Sequence, residues 1–425
     1  MRILKWTGIA FVSVILLGVV GCSTVGLPNV SAAPETAPAR PDLLAPIGGM
    51  DQVRDVENWE SERAPFWTNM LLSQVYGSIP PATETRIVSS ERTASGLIDG
   101  KADLYAVELE LTISGRAFRQ DVHFVVPNTP GPHPVILGAG SCPNHIALPD
   151  FPVEIPDNIA YPGYCDMEGF THSLSMFVFG RYIETPPLED LIDHGFAFGA
   201  YYPGMVVPDS SVPALEILED IRVDDGDHGP YAAIGIWAWV ASRIMDYVET
   251  DPHLDESRVI LFGHSRTGKS SLLGGALDPR IAGVISHQSG TGGAAIQKNG
   301  VGETIASITE SFPHWFTPTY ALYAGREEDL PFDQHALVAL MAPRPLLLGN
   351  SARDQWSDPR GSFTSARAAG EVYVLYGKPG FDVRNLRGFD PEADLAFQFR
   401  GGTHGITPED WNPFLEWLDA HFGGN

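Results

Sequence analysis

The run Val259–Ser271, VILFGHSRTGKSS, sets a histidine, a serine, an arginine and a lysine within six consecutive residues. Two chemistries fit it. Gly263, Gly268, Lys269 and Ser270 match G-x-x-x-x-G-K-[ST], in which backbone N–H groups and a lysine cradle phosphate. The same residues approximate a nucleophile elbow, a sharp strand-to-helix turn that exposes a serine for attack on an acyl carbon. The strict elbow reads G-x-S-x-G, whereas here Thr267 stands where the second glycine belongs. Both motifs follow a strand and open a helix, so the local pattern leaves both open.

Residues further along favour the elbow. A serine hydroxyl is a weak nucleophile until a base takes its proton, and the resulting imidazolium needs a carboxylate. His404 lies in Gly401-Gly402-Thr403-His404-Gly405, a turn between the last predicted strand and the last predicted helix. Asp354 follows the predicted strand Pro345–Gly349. The chain order Ser265, Asp354, His404 is the one a hydrolase sheet supplies. Asp358, directly before Pro359, reads as a turn former instead. His264, His287, His314 and His335 are weaker bases, because none follows the final strand. No strand ending in a Mg²⁺-binding aspartate is evident downstream, and neither a metal-ligand spacing nor a CxxC occurs. The expectation is an enzyme without metal or organic cofactor.

The N-terminus points to export, and an exported protein meets no nucleoside triphosphate pool. Arg2 and Lys5 precede an apolar stretch, 9–20, shorter than the roughly 20 residues a membrane span needs. Val19-Val20-Gly21-Cys22 reads as a lipobox, with residues 1–21 a signal peptide and Cys22 the lipidated residue. Residues 22–50, rich in Ala, Pro and Ser, read as a tether. This predicts a bacterial lipoprotein on the periplasmic side of the outer membrane or the cell surface. Cys142 and Cys165, 23 positions apart, either pair in that oxidising compartment or remain buried thiols.

Composition supports a large core and excludes one partner class. Of 425 residues, 44% are hydrophobic and 19% charged, and 27 Lys+Arg against 53 Asp+Glu give −26. A phosphate-backbone binder needs a basic face, so this balance disfavours nucleic acid as a partner. Loss of residues 1–21 removes two cations and no acid, which makes the balance more negative by two.

The elements that must position these residues alternate along the chain. Strands are predicted at 196–202, 259–262, 281–286, 345–349 and 396–400, and helices at 231–248, 267–276, 362–376 and 408–422. Ahead of them come a helical stretch, 51–80, a β-rich part with runs at 104–113, 121–126 and 134–137, and an irregular region, 140–195. The pattern predicts one monomeric α/β-hydrolase domain, 51–425: a mainly parallel sheet flanked by helices in three layers, antiparallel towards its N-terminal side.

The strings FGHSRTGKSSLLGGALDPRIAGVISHQSGTGG, GETIASITESFPHWF, LPFDQHALVALMAPRPLLL and DQWSDP, with GGTHG near the end, resemble the glucuronoyl esterases, carbohydrate esterase family 15. In that family an arginine directly follows the serine and a lysine stands four residues after it, as Arg266 and Lys269 do here. The resemblance assigns Arg266 to the oxyanion site, Lys269 to the sugar hydroxyls, and Glu303 and Trp356 to the sugar pocket. It implies hydrolysis of 4-O-methyl-glucuronoyl esters such as those joining glucuronoxylan to lignin alcohols. One departure stands out. Many members carry the triad acid as a glutamate where this chain has Gln288, an amide that cannot stabilise an imidazolium by charge. The acid is therefore expected to be Asp354, and Gln288 to matter little. An acetyl xylan esterase on the same scaffold and a non-catalytic carbohydrate-binding lipoprotein are the alternatives.

Overall fold

The computed structural model describes residues 40–155, 159–166, 180, 182–183, 185–222 and 228–423. The apolar stretch 9–20, the lipobox and Cys22 lie outside them. Nine strands form one sheet: β1 (Arg86–Gly96), β2 (Ala102–Ile113), β3 (Arg116–Pro127), β4 (His133–Ala139), β5 (Ala197–Tyr201), β6 (Leu254–His264), β7 (Gly283–His287), β8 (Leu346–Ser351) and β9 (Leu395–Arg400). Their spatial order is β1-β2-β3-β5-β4-β6-β7-β8-β9. The pairs β1–β2, β2–β3 and β3–β5 are antiparallel, and every pair from β5–β4 to β8–β9 is parallel. This is the mixed sheet the sequence predicts.

The sheet's two faces explain the continuous apolar runs of its central strands. Val135, Leu137, Val259, Leu261, Leu346 and Leu348 point into one core, and Ile136, Ile260 and Leu347 into the other. A strand covered on both sides needs apolar residues at every position rather than every second one. The first core is closed by α1 (Ala233–Val248), α2 (Arg266–Leu277) and α3 (Pro359–Leu375). The second is closed by α4 (Pro408–Phe422), through Trp411, Phe414 and Leu418, and by the short helix Leu188–Asp193. Helix α1 is buried almost all round, which accounts for its apolar sequence.

Two expectations are refined. The helical stretch expected at 51–80 runs without a break from Val56 to Tyr76 but alternates between α and π hydrogen bonding, and ends at Gly77. The tether predicted for 22–50 has ended by Pro41. Leu43 is 2% exposed, and the buried Arg63 guanidinium donates to the carbonyls of Leu43, Ala45 and Asp51 at 2.7, 2.7 and 2.8 Å. Pro41 O lies 2.7 Å from His335 Nε2. An arginine that satisfies three carbonyls folds this segment onto the domain despite its tether-like composition. Cys142 and Cys165 are disulfide-bonded, with Cα atoms 5.7 Å apart, which resolves the open choice between pairing and free thiols.

Candidate active site

The site forms at the carboxyl ends of β6, β7, β8 and β9. Strand β6 ends at His264 and α2 begins at Arg266, so Ser265 alone makes the turn, at φ 56° and ψ −120°. A non-glycine residue there costs about 1–3 kcal/mol and needs support. The Ser265 N–H donates to His287 O at 2.8 Å. Thr267 Oγ1 accepts from His264 N at 3.0 Å and donates to His264 O at 2.9 Å. The residue that breaks the strict motif thus braces the elbow with its hydroxyl. Gly263 is required beneath it, because a Cβ there would stand 2.2 Å from Thr267 O.

His404 sits in the turn after β9, and Asp354 in the loop after β8. Their side chains meet, with His404 Nδ1 2.7 Å from Asp354 Oδ2. That bond places the ring proton on Nδ1 and leaves Nε2 as the basic nitrogen. Asp354 is 3% exposed. Burial pushes its carboxyl up, but the hydrogen bond and charge of His404, with help from Ser357, bring it below the usual carboxylate range. Asp358, read as a turn former, caps α3 by accepting from Gly361 N at 2.9 Å. The carbonyl after the base is also held: Gly405 O lies 2.5 Å from Arg400 Nη2 and 3.1 Å from His287 Nε2.

Arg266 is held by a residue that the sequence reading missed. Asp209 forms an ion pair with its guanidinium and also accepts from Trp315 Nε1 at 2.7 Å and lies 3.1 Å from His314 Nε2. Burial opposes ionisation of Asp209, but His314, Arg266 and Trp315 together bring it down to about 2. The guanidinium carbon lies 5.1 Å from the Trp315 ring centre, 5.5 Å from that of Phe312 and 6.0 Å from that of Tyr164. Tyr164 adjoins the disulfide at Cys165. Asp209 stands in a Pro-Asp-Ser-Ser turn with no motif around it, so nothing local marked it.

Lys269 and Glu303 are both buried beside the elbow, near enough for each charge to act on the other. Lys269 is 4% exposed, and its Nζ donates to Ser289 O. Burial lowers the ammonium to about 8, against the pull of the Glu303 charge. A lysine engaged in this way is not extended over a phosphate loop. Burial raises the Glu303 carboxyl, while Lys269 pulls it back. Its Oε1 is buried with no hydrogen-bond partner among the described residues. Trp356 accepts the Glu303 N–H on its carbonyl at 2.9 Å and is itself 55% exposed. Gln288, expected to matter little, is buried and bonded through both ends of its amide. Among the described residues no group of three His, Cys, Asp or Glu side chains is placed to hold a metal ion.

A mainly parallel sheet with an elbow serine on one strand end, and a bonded aspartate–histidine pair on two others, defines an α/β-hydrolase. The family model for fungal glucuronyl esterases matches residues 226–377. Carbohydrate esterase MZ0003, from an unknown prokaryotic organism, is 31% identical over 397 residues, covering 90% of each chain. The chain belongs to the glucuronoyl esterases, carbohydrate esterase family 15. Among solved structures, a promiscuous esterase of this family from a marine bacterial metagenome superposes with TM-score 0.79 at 29% identity, covering 92% of this chain and 98% of the other. The glucuronoyl esterase from Solibacter usitatus gives 0.76 at 31% identity, covering 92% and 99%.

Proposed function

We propose that the protein is a serine esterase that hydrolyses 4-O-methyl-glucuronoyl esters, of the kind that link glucuronoxylan to lignin alcohols. Ser265 Oγ attacks the C6 carbonyl and its proton passes to His404 Nε2, while Asp354 stays ionised and stabilises the imidazolium. Charge developing on the carbonyl oxygen is met by the Arg266 backbone N–H, the first of α2, and by its guanidinium. Collapse expels the alcohol, which takes the proton from His404 and leaves a glucuronoyl-serine. Water then attacks that acyl group and gives a proton to His404, which passes it to Ser265 Oγ as the acyl–oxygen bond breaks and the glucuronate is freed.

The observation that carries the sugar-acid reading is the burial of Lys269 and Glu303 beside the elbow, with Glu303 Oε1 lacking a hydrogen-bond partner among the described residues. An acetyl group needs only nucleophile, base and oxyanion donors. A polyhydroxylated acyl group supplies the hydroxyls that a buried carboxylate and ammonium require. The test compares kcat/KM on benzyl or methyl glucuronate with that on acetylated xylose. The glucuronate ester is expected to be the better substrate, and a preference for the acetyl ester would reject the assignment.

Asp209 enters this reaction through Arg266. Asp209→Ala is expected to lower kcat by about 10- to 100-fold with little change in KM, since a misdirected oxyanion donor weakens only the transition state. Steady-state kinetics on the same ester check it, and a loss under about twofold would count against the role.

The same proposal places the enzyme outside the cytoplasm as a monomer, lipid-anchored through Cys22 at the outer membrane. Support comes from the apolar stretch 9–20, the lipobox-like run ending at Cys22 and the Cys142–Cys165 disulfide, which suits an oxidising compartment.

A further inference from the structure

Gln288 directly follows β7 and adopts φ 48°, the left-handed region. It is 1% exposed, and none of the steps above uses it. Its backbone is fixed at both ends: the N–H donates to Gly349 O at 2.8 Å, and the carbonyl accepts from Ser357 Oγ at 3.1 Å. The side chain then reaches across the strand ends. Oε1 accepts from Gly405 N at 2.8 Å and lies 3.0 Å from His264 Nε2. Nε2 donates to Ser351 Oγ at 2.6 Å and to Thr403 O at 3.3 Å. One amide therefore joins the residue before the nucleophile, the last residue of the strand before Asp354, and both neighbours of His404.

The polarity of these partners is fixed by covalent chemistry. Gly405 offers a backbone N–H and Thr403 a backbone carbonyl, and neither role can reverse. Ser351 Oγ already donates to Thr403 O at 2.8 Å, so it can only accept from position 288. The residue must therefore accept at one end and donate at the other, as a primary amide does and a carboxylate does not. The orientation of the amide also fixes its neighbour. His264, whose ring centre is 4.5 Å from that of His404, must carry its proton on Nε2 to satisfy Gln288 Oε1. It then presents a neutral ring beside the base.

We propose that Gln288 is a positioning residue for the hydrolytic reaction: its amide clamps the 403–405 turn from both sides of His404 and holds that imidazole in register with Asp354 and the elbow. The position that carries an acid in many relatives has here become a four-point hydrogen-bonding clamp. This rests on the esterase reading above.

Two variants test it, Gln288→Ala, which removes the clamp, and Gln288→Glu, which keeps its shape but loses both donors. Each is expected to lower kcat by roughly 10- to 100-fold with KM within about twofold, as a base displaced by a fraction of an ångström does. A low-field proton NMR resonance from the His404 Nδ1–H is expected to be sharp in the wild-type protein without substrate, and to broaden or vanish in both variants. Their thermal midpoints should stay within a few degrees of wild type. Wild-type kcat in either variant, or an unchanged low-field resonance, would overturn the proposal. So would a loss of kcat that only follows loss of folded protein, and the Gln288→Glu variant, closest in shape, guards that comparison. Because the resonance is read without substrate, a wrong choice of ester leaves that readout intact.

Discussion

Ser265→Ala is expected to lower turnover of a glucuronate ester by on the order of 10⁵-fold, to the level of a pocket that binds without forming an acyl-enzyme. No other hydroxyl on the described elbow can replace it. Ser270 Oγ donates to Thr267 O at 3.0 Å within α2, and Thr267 Oγ1 is committed to His264. The fold should be kept, because alanine bears the same strain at φ +56° and its introduction frees no buried partner. Hydrolysis of benzyl glucuronate measures the loss, and mass spectrometry after a serine-directed phosphonate locates the label. A variant that keeps even a tenth of wild-type activity, or takes up the label elsewhere, would remove Ser265 from the mechanism. Binding without turnover or label in the wild-type protein would instead leave a carbohydrate-binding lipoprotein.

The second large effect belongs to the acid. Asp354→Asn is expected to cost about 10⁴-fold in kcat with KM little changed. An asparagine fits the same space. Its amide can turn an N–H towards His404 Nδ1, which then has to accept, so the proton moves to Nε2 and the base is lost. Even with the oxygen turned inward, no charge remains to stabilise the imidazolium. The sign of the pH dependence follows from the same bond. The Asp354 carboxyl is held below its ordinary value in the folded protein, so its contribution to stability is present above that ordinary value, near 3.9, and fades as pH falls through the lowered one. Rate loss in Asp354→Asn should therefore be nearly constant across neutral pH. Turnover within tenfold of wild type would shift the acid's role to another group.

How much of this could be read from residues alone depends on whether a feature is local. The parallel half of the sheet was legible because its central runs, such as Val259–Phe262 in β6 and Leu346–Leu348 in β8, are buried on both faces and so apolar at every position. The elbow was legible because its glycines and serine are adjacent in sequence. Strand β1 was not, because RIVSSERTASG is an exposed edge whose charges discourage pairing with another chain and hide its periodicity. The packed segment 41–50 was hidden as well, since the arginine that orders it is some 20 residues away. Within the site, Ser265, Asp354 and His404 carried signals of order along the chain. Asp209 and the clamp made by Gln288 carried none, for their meaning lies in partners 57 and 117 positions distant. Family resemblance named position 288 but could say only what it had lost.

Three of the six non-glycine residues with positive φ among the described positions, Ser265, Gln288 and Asp358, belong to the turns that follow β6, β7 and β8. At about 1–3 kcal/mol each, glycine at these points would relax the backbone. The substitution would also delete the nucleophile, the clamp or the cap of α3. Thermostabilisation of this enzyme therefore has a boundary drawn by its own turns. A gain is available at Asp99, where the same backbone strain serves no chemistry, whereas at the strand ends resistance to heat and catalytic competence pull in opposite directions.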